Sequence, residues 1–141
     1  MTVKIKNAMN EWSWLIGLDN YHPIAFSPFG DVVLLDQSNN LVLLDINMGE
    51  LVHARGAGTS PEHAFPDHYS SGLIAIYEAA GLHLADGQCY GYKKQVVLGG
   101  SYEPSNVYIA TRDEYVSFLG NFHNQIKDFP DGSKVELKVI K

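Results

Sequence analysis

Two short apolar runs on either side of a polar turn constrain the fold of this chain more than any other feature. Val32 to Leu35 and Leu41 to Leu44 flank residues 37–40, which are Gln, Ser and two Asn and tolerate turn geometry. Both runs are continuously apolar rather than alternating, so each strand needs cover on both of its faces. A helix packed on at least one face would supply it. Leu51 to Ala54 follows a turn at 47–49 and predicts a third strand of an antiparallel meander.

Three segments have helical patterns. Ala8 to Leu18 places apolar residues on one face of a short helix. Thr59 to Gly81 begins with Ser60-Pro61, a good N-cap and first-turn pair, but Pro66 should kink or restart that helix. Gly81 is a suitable stop.

The clearest helix is predicted from Thr111 to Lys127. Thr111 and Glu114 have the spacing of a capping box, and one apolar stripe runs along the segment. Between the helices, residues 87–110 are rich in strand formers, including Val96 to Leu98, with turns at 99–100 and 104–106. After a turn at 130–132, alternation over 135–139 predicts a last, half-buried edge strand.

These elements predict an α+β fold. A chain of 141 residues with no internal repeat, low-complexity tract or linker fits one domain spanning residues 1–141. We expect a mostly antiparallel, twisted sheet covered by two main helices, around 61–80 and 112–127.

Charge and hydropathy limit the classes of partner. The formal net charge is −6, whereas extended contact with a phosphate backbone needs a surplus of Lys and Arg, so nucleic-acid binding is disfavoured. An acidic surface can instead attract a basic protein. The longest apolar runs are too short to span a bilayer, and Asn10 and Glu11 interrupt what would be a signal peptide. We therefore expect a cytoplasmic protein without a membrane partner.

No local pattern marks a catalytic, cofactor or metal site. Cys89 is the only cysteine and lies in a predicted strand, which favours a buried, inert thiol over a nucleophile paired with a histidine. His63 and His68 are five residues apart and do not share a helix face, so we expect them on a solvated surface. The glycine-rich residues 56–59 lack a P-loop lysine and predict a plain connection.

Two further groups of side chains have simple interpretations. Tyr90 and Tyr92 stand beside Lys93 and Lys94 as in a base-stacking platform, but packing of the tyrosines on a neighbouring element is the better interpretation. The carboxylates show no acid/base spacing, and we expect most of them to be solvated; they are Asp31, Asp36, Asp45, Glu50, Asp86, Glu103, Asp113 and Glu114.

The segment from Gly87 to Val107, GQCYGYKKQVVLGGSYEPSNV, resembles the conserved C-terminal domain of the type VI secretion system DNase-immunity family. The similar features are a glycine and a small residue, then Gly-aromatic, an apolar strand, Leu-Gly-Gly and Asn-apolar before the last helix. The likeness continues through Tyr115 to Lys127 and the turn at 130–132, so the signature region is 86–132. Phe26 to Asp31 and the strands after it resemble GAD-like and SUKH-like immunity domains over residues 20–80.

The resemblance implies an immunity protein, not an enzyme, that binds and neutralises a cognate type VI secretion nuclease (a DNase) in the cytoplasm. A DNase presents a basic groove, which an acidic protein can cover. Asp86, Tyr102 and Glu103 flank the glycine-rich strands in predicted loops, and we hypothesise that they bind the partner. A SUKH-like regulatory or small-ligand-binding module without a toxin partner is the alternative, and a hydrolase using Cys89 or a histidine is a more distant one.

Overall fold

The structure, a computed structural model, describes residues 3–54 and 60–129. Its main sheet has four antiparallel strands in the order β1-β2-β3-β4. They are β1 (His22–Phe26), β2 (Val32–Leu35), β3 (Leu41–Asp45) and β4 (Glu50–His53). The predicted meander is confirmed: Val32 pairs with Leu44 and Leu35 with Leu41, and β4 returns along β3. The predicted loop at 56–59, turn at 130–132 and strand at 135–139 lie outside the described residues.

Strand β1 is an element that the sequence patterns missed. It contains Pro23, which normally argues against a strand because proline cannot donate to a sheet ladder. Here β1 is an edge strand that pairs only with β2, and its register shifts between Pro23 and Ala25. An edge position and an irregular register are both places where a sheet accommodates proline.

One face of the main sheet packs against two helices. Helix α1 (Val3–Met9), a 3-10 turn at Asn10–Trp12 and helix α4 (Arg112–Ile126) lie over Val32, Leu34 and Leu44. The Trp12 indole is fully buried, and its Nε1–H donates to the Val116 carbonyl at 2.9 Å. Apolar burial and a satisfied indole donor thus tie the N-terminal segment to α4.

The opposite face of the same strands is also covered. Val33 and Leu43 point to that side and pack with Ala64 and Phe65. These two residues come from helix α2 (Pro61–Ala64) and the turn after it. The prediction that continuous apolar strands need cover on both faces is therefore confirmed. The predicted helix is interrupted at Pro66, which begins a 3-10 turn, Pro66–Tyr69, before helix α3 (Ser71–Ala79). Gly81, the predicted stop, follows α3 with a φ of +87°.

A second sheet pairs β5 (Gln88–Tyr92) with β6 (Val107–Thr111), antiparallel. Tyr90 and Tyr92 are buried in a cluster with Phe29 and Tyr77, which confirms that these tyrosines pack on a neighbour. The Tyr90 amide donates to the Pro28 carbonyl at 2.8 Å and so links the second sheet to the loop before β2.

Three local predictions are wrong. Val96–Leu98 is a 3-10 turn rather than a strand, because the chain folds back here: the Gly100 amide donates to the Gln95 carbonyl. The first helix begins at Val3 and gives way to a 3-10 turn at Asn10, so it lies earlier than 8–18. Helix α4 does follow Thr111, but the Thr111 side chain makes no capping hydrogen bond.

No helix among the described residues is long and apolar enough to cross a membrane.

Candidate functional site

Two recesses open on the described surface. The larger, which we call the acidic groove, has a volume of about 990 Å³. It is bounded by α1, α4 and the ends of β5 and β6. Its charged lining side chains are one cation and four carboxylates, namely Lys4, Glu11, Asp86, Asp113 and Glu114. Such a surface attracts a cationic partner electrostatically and repels a polyanion.

The smaller recess, which we call the carboxyl pocket, has a volume of about 170 Å³. It lies where the loop before β2, the turn after β3 and the Pro66–Tyr69 turn meet the second sheet. Aromatic, apolar and acidic side chains line it: Phe29, Asp31, Asp45, Asn47, Met48, Asp67, His68, Leu73, Tyr92, Val96 and Tyr102.

The three predicted partner-binding residues are divided between these recesses. Asp86 is exposed in the turn before β5 and lines the acidic groove. Tyr102 is exposed and lines the carboxyl pocket, with its ring edge-on to that of Tyr92. Glu103 is exposed beside Tyr102 but lines neither recess. All three are accessible to a partner, but only Tyr102 and Glu103 are neighbours.

Most of the eight carboxylates are at least partly exposed, but two of them, Asp31 and Asp45, are buried at the carboxyl pocket, and His68 is partly buried there rather than on a solvated surface. Asp31 is 2% exposed and Asp45 is 7% exposed. His68 Nε2 lies 3.0 Å from Asp45 Oδ2, and the imidazole is partly buried. His63, in contrast, is exposed as expected.

Local geometry positions the two carboxyls. The Ser27 hydroxyl donates to Asp31 Oδ2 at 2.8 Å and accepts hydrogen bonds from the Phe29 and Asp31 amides, which folds the loop before β2 around Gly30. At the end of β3, Asp45 Oδ1 accepts from the amides of Asn47 and Met48 at 3.1 and 2.9 Å. A serine four residues before an aspartate, and an aspartate opening a turn, are the local signals that could have marked both positions.

Burial and mutual repulsion change the protonation of this cluster. Burial, reinforced by the Asp45 carboxylate, raises the pKa of Asp31 from 3.8 to about 7, against smaller opposing effects of His68, the Ser27 hydroxyl and the Ile46 amide. The hydrogen bond to Asp45 raises the pKa of His68, with added attraction from Asp31 and Asp67, although burial opposes the shift. Asp31 therefore keeps its proton up to nearly neutral pH, and His68 stays protonated to a higher pH than a free imidazole.

Cys89 is fully buried, as the sequence predicts, and burial raises the pKa of its thiol to about 12. A thiol is a nucleophile only as the thiolate, so this position does not suit covalent catalysis. Within 3–54 and 60–129, no group of three or more His, Cys, Asp or Glu side chains is arranged to hold a metal ion.

One family model matches part of this chain. Residues 58–123 match the family model described as T6SS immunity protein Tdi1, C-terminal. The match supports a type VI secretion immunity family. It includes Asp86, Tyr102 and Glu103, and it also includes His68, whereas Asp31 and Asp45 come from the part of the chain before it. An immunity protein of this family has a toxin protein as its partner, so the match supports a toxin-neutralising role.

The match overlaps the predicted signature region over 86–123 and does not reach residues 20–57. The GAD-like and SUKH-like character of residues 20–80 therefore stays a prediction.

A solved structure shares the fold. The crystal structure of Atu4351 from Agrobacterium tumefaciens superposes with a TM-score of 0.60 over 84% of this chain, at 14% sequence identity. The superposed chain spans 63% of the length of that protein. At this identity the likeness concerns the fold alone. No curated protein matches the chain.

Proposed function

We propose that this protein is an immunity protein that binds and neutralises a cognate nuclease toxin, a DNase of a type VI secretion system, in the cytoplasm. The family match supports the immunity role. The observation that supports a nuclease as the toxin is the acidic groove, which is lined by four carboxylates and one lysine. A DNase must hold a polyanion and therefore presents a basic surface, which is the complement of this groove.

The mechanism needs no chemistry from the immunity protein. Long-range attraction between opposite charges speeds the encounter, and the bound protein then occupies a surface that DNA needs. In this proposal Asp86 contacts the toxin from the groove, and Tyr102 and Glu103 contact it from the rim of the carboxyl pocket and the loop beside it. Tyr102 is suited to an interface because an exposed tyrosine offers both apolar area and a hydroxyl.

The test is a growth-rescue and pull-down experiment with the nuclease encoded beside this gene. We expect the wild-type protein to bind the nuclease and restore growth of cells that express it. Failure of both would exclude the immunity role for that nuclease.

Charge reversal then tests the residues. Asp86→Lys and Glu103→Lys should each weaken binding by about tenfold or less, with a smaller salt dependence, because each removes attraction to a basic partner. Asp19→Lys is the matched control, since Asp19 is exposed and lines neither recess. If all three variants bind alike, Asp86 and Glu103 are not part of the interface.

A SUKH-like regulatory or small-ligand-binding module is the second candidate. The convergent polar groups of the carboxyl pocket favour it, but that pocket, at about 170 Å³, is smaller than the roughly 300–1,000 Å³ of pockets that enclose drug-sized ligands. Retention of a small metabolite by the purified protein, with no binding to the nuclease, would support this candidate.

A further inference from the structure

One of the residues that line the carboxyl pocket is a buried carboxyl, Asp31. Ser27 donates to Asp31 Oδ2, whereas Asp31 Oδ1 is buried and makes no hydrogen bond of good geometry among the described residues, although the Ile46 amide is near enough to act on the carboxyl. A buried polar atom left unpaired is destabilising, because the loss of its hydration is not compensated. Asp31 lines the pocket, so a donor that enters the pocket could pair with this carboxyl.

The surrounding charges select a cation as that donor. Asp45 already accepts three hydrogen bonds, from two amides and from His68, and is held in place by them. Asp67 lines the same pocket and adds a third carboxyl. Three acidic side chains face one histidine, so the pocket attracts a positive group.

The rim of the pocket suits the stem of a long side chain. Met48 and Tyr102 are large apolar side chains that are 48% and 51% exposed, and both line the pocket. Lysine and arginine pack their methylene stems on apolar surface while the charged head finds a polar partner, and an aromatic ring adds attraction to the cation. A volume of about 170 Å³ is suited to one side chain rather than to a larger ligand.

We propose that the carboxyl pocket receives one lysine or arginine side chain of the toxin, whose cationic head pairs with Asp31 while Met48 and Tyr102 enclose its stem. This inference rests on the proposed function, because the toxin is the protein that supplies the side chain. The carboxyl pocket would thus anchor the toxin in addition to the acidic groove. Its lining combines residues of the segment that matches the family model with residues of the strands and loops before that segment.

Proton release accompanies this contact. A cation favours the ionised form of Asp31 and the neutral form of His68, so affinity rises with pH between about 6 and 8. The other titratable groups that act on this cluster are Asp45, Asp67, Tyr69, Cys89 and His123. Tyr69 and Cys89 have pKa values of about 12 and stay neutral over that range, and burial lowers the pKa of His123, which favours its neutral form.

The first experiment tests the pocket without the toxin. N-acetyl-lysine methylamide and its arginine and glutamine counterparts are titrated into the protein while NMR signals of Met48 and Tyr102 are followed. The two cationic probes should give saturable shifts that Asp31→Asn weakens about tenfold and that Asp19→Asn, at an exposed residue outside both recesses, leaves unchanged. Equal responses to the glutamine probe, or no effect of Asp31→Asn, overturn the proposal.

The second experiment uses the nuclease and a substitution that leaves the buried carboxyl in place. Met48→Lys puts an ammonium at the rim and should weaken toxin binding by about tenfold, whereas the neutral Met48→Gln should change it by about threefold or less. Ile76→Lys controls for added charge, since Ile76 is exposed on α3 and does not line the pocket. If Met48→Lys and Ile76→Lys behave alike, the pocket lies outside the interface.

The two experiments separate the proposals. If wild-type protein does not bind the nuclease, the proposed function fails, and this inference falls with it even where the amide probes bind. If the nuclease binds and the probes or spermidine occupy the pocket without competing with it, the pocket is a small-cation site and the inference is wrong while the proposed function stands.

Discussion

At the scale of single residues, the most informative feature is a carboxyl that the fold buries without fully satisfying it. Within 3–54 and 60–129, the Asp31 side chain has one oxygen bonded to Ser27 and one that makes no hydrogen bond of good geometry. Natural proteins rarely keep such an atom, because its desolvation is not repaid. Asp45, which lines the same pocket, shows the contrast, because two backbone amides and His68 hydrogen-bond to its carboxylate.

A prediction for Asp31 concerns the pH dependence of stability. Between pH 3.8 and about 7 the folded protein keeps a proton on Asp31 that the unfolded chain has lost, so the free energy of unfolding falls as pH rises through this window. His68, whose pKa is also raised, contributes stability that is complete below 6.5 and is lost as pH rises through its folded value, in the same direction.

Asp31→Asn removes the contribution of Asp31 to the pH dependence of the free energy of unfolding. An amide does not titrate, resembles the protonated carboxyl and can still accept a hydrogen bond from Ser27. The variant should lose less stability than wild type between pH 4.5 and 7, with the two slopes differing by up to roughly 1 kcal/mol per pH unit. Urea unfolding at several pH values measures this. Asp86→Asn, at an exposed position, is the control, and parallel curves for wild type and Asp31→Asn would contradict the raised pKa.

A second prediction at this scale concerns Cys89. Its thiol is buried and its pKa is about 12, so we expect no reaction with a thiol reagent at pH 8 in the folded protein and full reaction in denaturant. Cys89→Ser should leave toxin binding unchanged if it folds. Rapid labelling of the folded protein would reopen the cysteine-hydrolase alternative.

At the scale of elements, one glycine sets the distance between α4 and the N-terminal segment. A Cβ on Gly120 would lie 2.8 Å from the Glu11 Cβ and 2.9 Å from the Glu11 carbonyl oxygen. The Trp14 indole donates to the Gly120 carbonyl at 3.1 Å, so the two elements contact each other through backbone as well as side chains. The absence of a side chain at residue 120 therefore permits this close packing.

Gly120→Ala should consequently destabilise the protein, although alanine is the better helix former. We expect a loss of about 1–3 kcal/mol in the free energy of unfolding from the forced separation. Gly72→Ala is the matched control, because the nearest atom to a Cβ there is the Ser70 Oγ at 3.9 Å, and it should be neutral or stabilising by less than about 1 kcal/mol. Denaturant titration of both variants decides, and equal effects would contradict the packing argument.

At the scale of the whole molecule, net charge and its placement act together. The chain carries a formal charge of −6, and the acidic groove concentrates four carboxylates on one surface. Net charge alone makes many proteins soluble without giving them a basic partner. The placement of the charge is what distinguishes a steering surface from a merely acidic one.

The corresponding prediction concerns the rate of association with the nuclease. Raising the salt concentration from about 0.05 to 0.5 M should slow association at least tenfold while changing dissociation much less. Asp86→Lys should slow association more than Asp19→Lys does, although the two change net charge equally. Stopped-flow mixing measures both rates, and equal slowing would mean that net charge rather than the groove steers the encounter.

Much of the fold could be predicted from the sequence because the relevant signals are local. The apolar runs at 32–35 and 41–44 and the apolar stripe of α4 are patterns over neighbouring residues, and they identified strands and helix correctly. Local patterns misled where the rest of the fold decides the conformation. Val96–Leu98 has strand-forming residues but closes a tight loop, and Pro23 sits in a strand because that strand is at an edge.

The candidate site divides in the same way. That the chain carries an excess of carboxylates, has a single thiol in a strand and resembles an immunity family is determined by the sequence alone. Only the tertiary structure brings Asp31 and Asp45 together with His68, which is 23 residues from Asp45, and only it gathers Glu11, Asp86 and Glu114 along one groove. The physical reason is that periodicity and propensity act between neighbours along the chain, whereas burial and charge interactions depend on distances in space that the packed elements set.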